Sequence, residues 1–265
     1  MRPRNITSLI GCCALAVALT GSSLSVAHEP PTYTLMQMNL CLSGFAGCYG
    51  KVAYPAGVEE AVARIRDAQP DAATLNETCR RDVAQIARRT GYQLRFSTVK
   101  VSGKPLRCVR PGGRGHFGDA VLTKAAIEST DSRDFRAQTG IEWRRWLCVT
   151  TRVGVDVCTA HLATEAAANG SQCAELTEVL ARRTITHTVV FGGDVNRSRA
   201  CAPDHAWTRT DGSADQAPGL QGIYGHGALG SPTAQVIPAT RTDHDVLLVR
   251  ADIVGAHGVE SSTRR

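Results

Sequence analysis

Several strand-length apolar runs in this 265-residue chain end in side chains that suit a divalent metal or a phosphate group. Asn39 lies at the end of the run 33–40, Glu77 follows the run 72–75 as Leu75-Asn76-Glu77, and His161 closes the run 155–161. Asp194 and Asn196 follow Val189-Val190-Phe191-Gly192-Gly193, and Asp243 with His244 immediately precedes Val246-Leu247-Leu248-Val249. Singly, each reads as an ordinary polar residue of a connecting loop. Together, carboxylates and an amide oxygen make a hard donor set suited to Mg²⁺, which keeps waters and bridges to phosphate oxygens. Two histidines beside it would supply a general base and a stabiliser of charge on phosphorus. The sequence holds no Gly-x-Ser-x-Gly for a serine hydrolase and no Cys-x-x-Cys for a zinc site.

The elements that must position these groups follow from periodicity. Runs 33–40, 72–75, 93–99, 120–123, 146–151, 155–161, 188–191 and 246–253 read as strands. Val58, Ala61, Val62 and Ile65 fall on one face of a helix that Pro70 ends, and Val83, Ile86 and Ala87 mark a second helix stopped at Gly91. Leu176, Val179 and Leu180 mark a third. Strands outnumber helices, and helices covering the outer faces of packed sheets explain that order.

The ordered set resembles the endonuclease/exonuclease/phosphatase superfamily, whose fold is typified by pancreatic-type deoxyribonuclease. The resemblance runs through Met38-Asn39, Pro70-Asp71, Asn76-Glu77, Gly118-Asp119-Ala120-Val121-Leu122, Ala160-His161-Leu162, Gly193-Asp194-Val195-Asn196 and Thr242-Asp243-His244. It spans residues 33–253 in the family order and suggests a secreted bacterial member. It implies an α/β (α+β) four-layer sandwich, two packed mixed β-sheets flanked by helices, and a divalent-metal hydrolase of phosphate esters using Mg²⁺, Mn²⁺ or Ca²⁺. Carried over by motif, Glu77 and Asn39 would hold the metal with Asp243 near it, and His161 takes the position that is histidine in the deoxyribonuclease branch. Asp194 would orient or deprotonate the attacking water, Asn196 would bind the scissile phosphate, and His244 would steady its developing charge.

One departure stands out. The family carries an acid on a strand between the Gly-Asp-x-Asn and Asp-His elements to support the final histidine, and here Gln221 falls in that place. Either Gln221 holds His244 less well, or Asp211 or Asp215 substitutes, or the protein is slow or inactive.

Residues 1–27 read as a secretory signal, with Arg2 and Arg4 ahead of an apolar stretch and Ser25-Val26-Ala27 before the cleavage point. Lipid attachment at Cys12 is the alternative. The expected organisation is therefore 1–27 signal and 28–265 a single domain, working as a monomer without a membrane span. With 43% hydrophobic residues the chain has material for one core, which excludes intrinsic disorder. The scarcity of aromatics argues against a surface that holds ligands mainly by ring stacking. Removing two arginines and no acid leaves 28 basic against 24 acidic residues, a mild bias of +4. The remaining eight cysteines fit an oxidising compartment. Cys148 and Cys158 face each other across a hairpin about Val153, Cys41 and Cys48 close a small loop, and Cys79–Cys108 and Cys173–Cys201 follow by elimination. Lys100, Lys104, Arg107, Arg110 and Arg114 could track a phosphate backbone, with Arg107 and Arg114 as substrate-binding candidates, and Arg144-Arg145 form another basic site. DNA or RNA is thus favoured as substrate. The alternatives are phosphomonoesters, phospholipids of sphingomyelin or inositol-phosphate type, and a non-catalytic phosphate-binding protein.

Overall fold

A computed structural model describes residues 31–46, 48 and 54–254. The expected signal 1–27, with its cleavage point and Cys12, lies outside the described residues.

Two six-stranded sheets pack face to face. The first contains β1 (Thr32–Asn39), β2 (Ala72–Cys79), β3 (Gln93–Thr98), β6 (Phe117–Thr123), β14 (Leu229–Ile237) and β15 (Val246–Ile253), in the order β14-β15-β1-β2-β6-β3. The second contains β7 (Ile127–Asp134), β9 (Arg145–Thr151), β10 (Val155–Ala160), β11 (Thr188–Asp194), β12 (Trp207–Thr210) and β13 (Gln221–His226), in the order β12-β13-β11-β10-β9-β7. Each sheet is mixed: β1 pairs parallel with β2 and β10 with β11, and the other pairings are antiparallel. A three-stranded ribbon of β4 (Lys100–Val101), β5 (Lys104–Pro105) and β8 (Glu142–Trp143) stands beside them.

Strand alternation sorts the side chains into layers. On β1, Met36 and Met38 face outward and join α1 (Ala56–Ala68) and α2 (Arg80–Thr90) in one core, through Val58, Val62, Ile65, Val83 and Ile86. Leu35 faces inward and meets Val121, Val149, Val157, Val190 and Val249 between the sheets. The outer face of the second sheet, with Phe191 and Tyr224, is covered by α3 (Ala166–Arg183) through Leu176, Val179 and Leu180. The result is the four-layer order of helices, sheet, sheet and helix. Each fully buried aliphatic side chain of this kind contributes about 1.5–3 kcal/mol.

The four expected cysteine pairs are disulfides: Cys41–Cys48, Cys79–Cys108, Cys148–Cys158 and Cys173–Cys201. Cys148 and Cys158 are direct partners in the register of β9 and β10, with Cα atoms 4.0 Å apart. Among the described residues, no helix is long and apolar enough to cross a membrane.

Candidate active site

The layer between the sheets changes character along the strands. Inward positions run from Leu35 to Gln37 and Asn39 on β1, from Ala72 to Thr74 and Asn76 on β2, from Val157 to Thr159 on β10, and from Val190 to Asp194 on β11. Buried polar groups are tolerated only when hydrogen-bonded, and these satisfy one another. Asn76 is the centre: its Nδ2 donates to Asp119 Oδ1 at 2.9 Å, while its Oδ1 accepts from Gln37 Nε2 and from the Asp194 backbone N–H, each at 2.8 Å. A Cβ on Gly192 would run into Thr74 Oγ1, so this close approach of the two sheets requires glycine there.

Two backbone irregularities aim side chains at the end of this seam. Between the pairs Leu75–Ala120 and Thr78–Gly118, three steps on β2 match two on β6, and within that bulge Glu77 has φ +53°. Asn196, just beyond β11, has φ +49°. Left-handed backbone at non-glycine residues costs about 1–3 kcal/mol and persists where the surroundings enforce it.

Asp194 is the hub of the site. Its Oδ2 accepts from Asn39 Nδ2 at 2.9 Å and lies 3.2 Å from His244 Nε2 and 3.7 Å from His161 Nε2. Asn39 Nδ2 also donates to Glu77 Oε1 at 3.0 Å, and Thr242 Oγ1 ties the Asp243-His244 loop to Asn39 O at 2.7 Å. His244 Nδ1 is hydrogen-bonded to Asp243 Oδ1 at 2.9 Å. Asn196 donates through Nδ2 to Leu162 O at 2.9 Å and meets His161 Nε2 at 3.0 Å. Because an amide nitrogen can only donate, His161 Nε2 is the acceptor and its proton sits on Nδ1, 3.9 Å from Glu77 Oε1.

The charges follow from these neighbours. Burial opposes a proton on His244, but Asp194 and Asp243 more than offset it and raise its pKa to about 10. His161 is lowered to about 3 by burial first and then by the charge of Arg144. Burial alone would raise Asp194, yet the histidines and Asn39 bring it down to about 2. Glu77 is raised to about 7, chiefly by burial, with Asp194 and Asp243 adding repulsion. At neutral pH the two histidines therefore carry opposite protonation states.

A cleft of about 300 Å³ opens beside this cluster, with Glu77 and His161 on one side and Phe45, Leu106, Glu142 and Arg144 among its other lining residues. Arg144 stands out. Its Nε pairs with Glu142 Oε1 at 3.2 Å, whereas its Nη1 is buried with no hydrogen-bond partner among the described residues. In the sequence it is only half of a basic pair, and nothing there separates it from Arg145, which turns to Asp134 and Ser97.

Asn39, Glu77, His161, Asp194, Asn196, Asp243 and His244 are thus gathered at one end of the seam. The two arginines expected to bind substrate are not. Arg114 is buried, and its five guanidinium N–H groups are taken up by Asp82 at 2.6 Å, Leu42 O at 2.7 Å, Val109 O at 2.8 Å, Pro111 O at 3.1 Å and Cys79 Sγ at 3.2 Å. It braces the 107–116 loop, and has no donor to spare for a phosphate. Arg107 is exposed on that loop, bridged through its backbone to His116, next to Leu106 of the cleft wall.

The candidates for supporting His244 also resolve differently. Gln221 lies beneath the site, accepting from Asn39 N–H at 3.1 Å and donating to Asp211 Oδ2 at 3.0 Å and Asp245 O at 2.6 Å. Asp211 is bound to Gln221, and the Asp215 backbone N–H is bound to Asp245 Oδ2. The carboxylates beside His244 are Asp243 and Asp194.

The donor set suits a hard divalent cation. Glu77 and Asp243 offer carboxylate oxygens, and the mutual repulsion of Glu77, Asp194 and Asp243 is what a cation relieves. Asn39 turns both amide protons to carboxylates and its Oδ1 accepts from Cys41 N–H at 3.1 Å, leaving one oxygen lone pair for a metal.

The profile of the endonuclease/exonuclease/phosphatase family matches residues 46–262, and this chain belongs to that family. Its fold is of the phosphoesterase and nuclease type, and members of the family generally depend on a divalent metal. No curated protein matches the sequence. Among solved structures, the human Nocturnin catalytic domain with bound sulfate is similar at TM-score 0.62 and 15% identity, covering 86% of this chain and 95% of that one. TDP2 from C. elegans is similar at TM-score 0.60 and 17% identity, covering 86% and 78%. D. rerio TDP2 complexed with a single-strand DNA product is similar at TM-score 0.58 and 13% identity, covering 83% and 99%.

Proposed function

We propose that this chain is a secreted, monomeric, divalent-metal-dependent phosphodiesterase that hydrolyses nucleic acid. The observation that carries the reading is the environment of Asp194 Oδ2, which meets an amide donor and lies within 3.7 Å of two histidines of opposite charge state. Glu77, Asn39 and Asp243 would hold the metal, preferably Mg²⁺. A cation held there would supply Lewis-acid polarisation of a phosphoryl oxygen and help to stabilise the leaving group.

Asp194, ionised, orients the attacking water as a hydrogen-bond acceptor. His161, neutral and with its proton on Nδ1, accepts from Asn196 through Nε2 and so holds that amide in place. His244, charged and clamped between Asp243 and Asp194, steadies the negative charge that grows on the phosphate. Asn196 exchanges its bond to Leu162 O for a phosphate oxygen, and Arg144 supplies further positive charge from the cleft wall. Four disulfides and the mild positive charge support an exported protein working on a polyanion.

Digestion of plasmid DNA and of RNA by the purified, oxidised protein, with and without chelator, tests this reading. Mg²⁺-dependent cleavage that Glu77→Gln and His161→Ala abolish is expected. Cleavage that survives chelation, or survives both substitutions, overturns it.

A further inference from the structure

We infer that the cleft beside Glu77 and His161 is a pocket for a single unpaired nucleobase next to the scissile phosphate, so that the protein acts on single-stranded nucleic acid. The inference rests on the proposed activity for its catalytic consequence and on the cleft alone for its binding consequence.

The cleft has two kinds of wall. Phe45, Leu106 and Phe117 line it with apolar surface, and Phe45 is 63% exposed. This open ring beside the polar cluster presents a flat apolar face on which a planar group can stack. The ring-poor composition makes its position more pointed, since the chain has only five Phe. Glu142 and Arg144 also line it, an ion pair at 3.2 Å that brings acceptor and donor groups together. The Arg144 Nη1 is buried and has no hydrogen-bond partner among the described residues.

These walls select among the groups that flank a phosphoester. A polyol such as inositol has no flat apolar face to lay on Phe45. An acyl chain has nothing for Glu142 and Arg144. A nucleobase has both a π-face that stacks on an aromatic ring and an edge of donors and acceptors. Size adds a second restriction. About 300 Å³ is at the small end of ligand pockets, and it suits one nucleoside-sized group. A base inside a duplex is stacked on both faces and paired at its edge, so it would have to be extruded first, and a base in a single strand would not.

The test compares one oligonucleotide as a single strand and in a duplex, by fluorescence anisotropy in chelator and by initial cleavage rate in Mg²⁺. Wild type, Phe45→Ala and Phe45→Trp are measured, the last keeping a ring for stacking. The single strand is expected to bind and be cut at least about tenfold better than the duplex. Phe45→Ala should erase most of that preference and Phe45→Trp should restore it. Since Phe45 is exposed, its removal leaves the fold intact. Equal handling of strand and duplex, or indifference to Phe45→Ala, overturns the pocket. Phe45-dependent binding of the single strand without cleavage upholds the pocket and overturns the proposed activity. Failure to bind either form overturns the pocket as well.

Discussion

His244 Nε2 lies 3.2 Å from Asp194 Oδ2 as a close ion pair, while its Nδ1 is hydrogen-bonded to Asp243, its own neighbour in the chain. The imidazole is therefore bracketed by two carboxylates, one from the end of β11 and one from the loop ahead of β15. This arrangement makes His244 a permanent cation across the physiological range. His161 lies 3.7 Å from the same Asp194 oxygen, and burial keeps it neutral.

Histidine-selective NMR reads this directly. At pH 7 His244 should be doubly protonated, and His161 should be neutral with its proton on Nδ1. Asp243→Asn should bring the His244 pKa down from about 10 toward the ordinary value near 6.5, because one carboxylate partner is lost. The linkage has a sign. A histidine raised in the folded state adds stability that is complete below its unfolded pKa and lost as pH climbs toward about 10. Wild type should therefore lose this contribution between roughly pH 6.5 and 10, and Asp243→Asn should lose most of that dependence.

Glu77 sets a different pH dependence. Its carboxyl is raised to about 7, so in the metal-free protein it keeps a proton that the unfolded chain releases. Stability from this group therefore falls as pH rises from the unfolded value toward about 7. A cation must displace that proton, and Mg²⁺ affinity should drop about tenfold for each pH unit below about 7. Calorimetric titrations at several pH values measure it. A flat affinity across that range would remove Glu77 from the ligand set.

Arg114→Ala should act on stability and not on chemistry. The pair Arg114–Asp82 is 2.6 Å long with both side chains buried, and truncation leaves Asp82 and three backbone carbonyls without their donor. The expected loss is about 3–5 kcal/mol in denaturant unfolding. The folded fraction should retain its kcat/KM. A stable variant with a weakened KM would instead place Arg114 on the substrate.

The core strands are legible in the sequence because burial on both faces writes a continuous apolar run, as in Val189-Val190-Phe191. The edge strands β7 and β14 escape that signal: Ile-Glu-Ser-Thr-Asp-Ser-Arg-Asp is polar along its length because an edge strand lies largely in solvent. The candidate site residues are readable because each closes or flanks a strand. The role of Arg114 is not, since one basic loop can hold both exposed and buried guanidinium groups, and only the fold shows where Asp82 lies. Gln221 stands out in the sequence as a missing acid, yet its amide needs both its acceptor and its donor: Asn39 N–H on one side, Asp211 and Asp245 O on the other.

That double use predicts the outcome of Gln221→Asp. The acid cannot donate to Asp211 or Asp245 O, and it sets a second carboxylate against buried Asp211. Thermal stability should fall, by about 1–3 kcal/mol per unsatisfied group, with no gain in rate. Unchanged stability and faster turnover in Gln221→Asp would show that the family's usual acid does belong there.

Asp194 is the centre of the proposed chemistry, and the most direct measurement is the single-turnover cleavage rate of Asp194→Asn on a single-stranded oligonucleotide at saturating Mg²⁺. Asparagine keeps the size of the side chain and removes the charge that orients water and balances His244. The rate should fall at least about 100-fold while the variant remains folded. A rate within a few-fold of wild type would contradict the central role of Asp194.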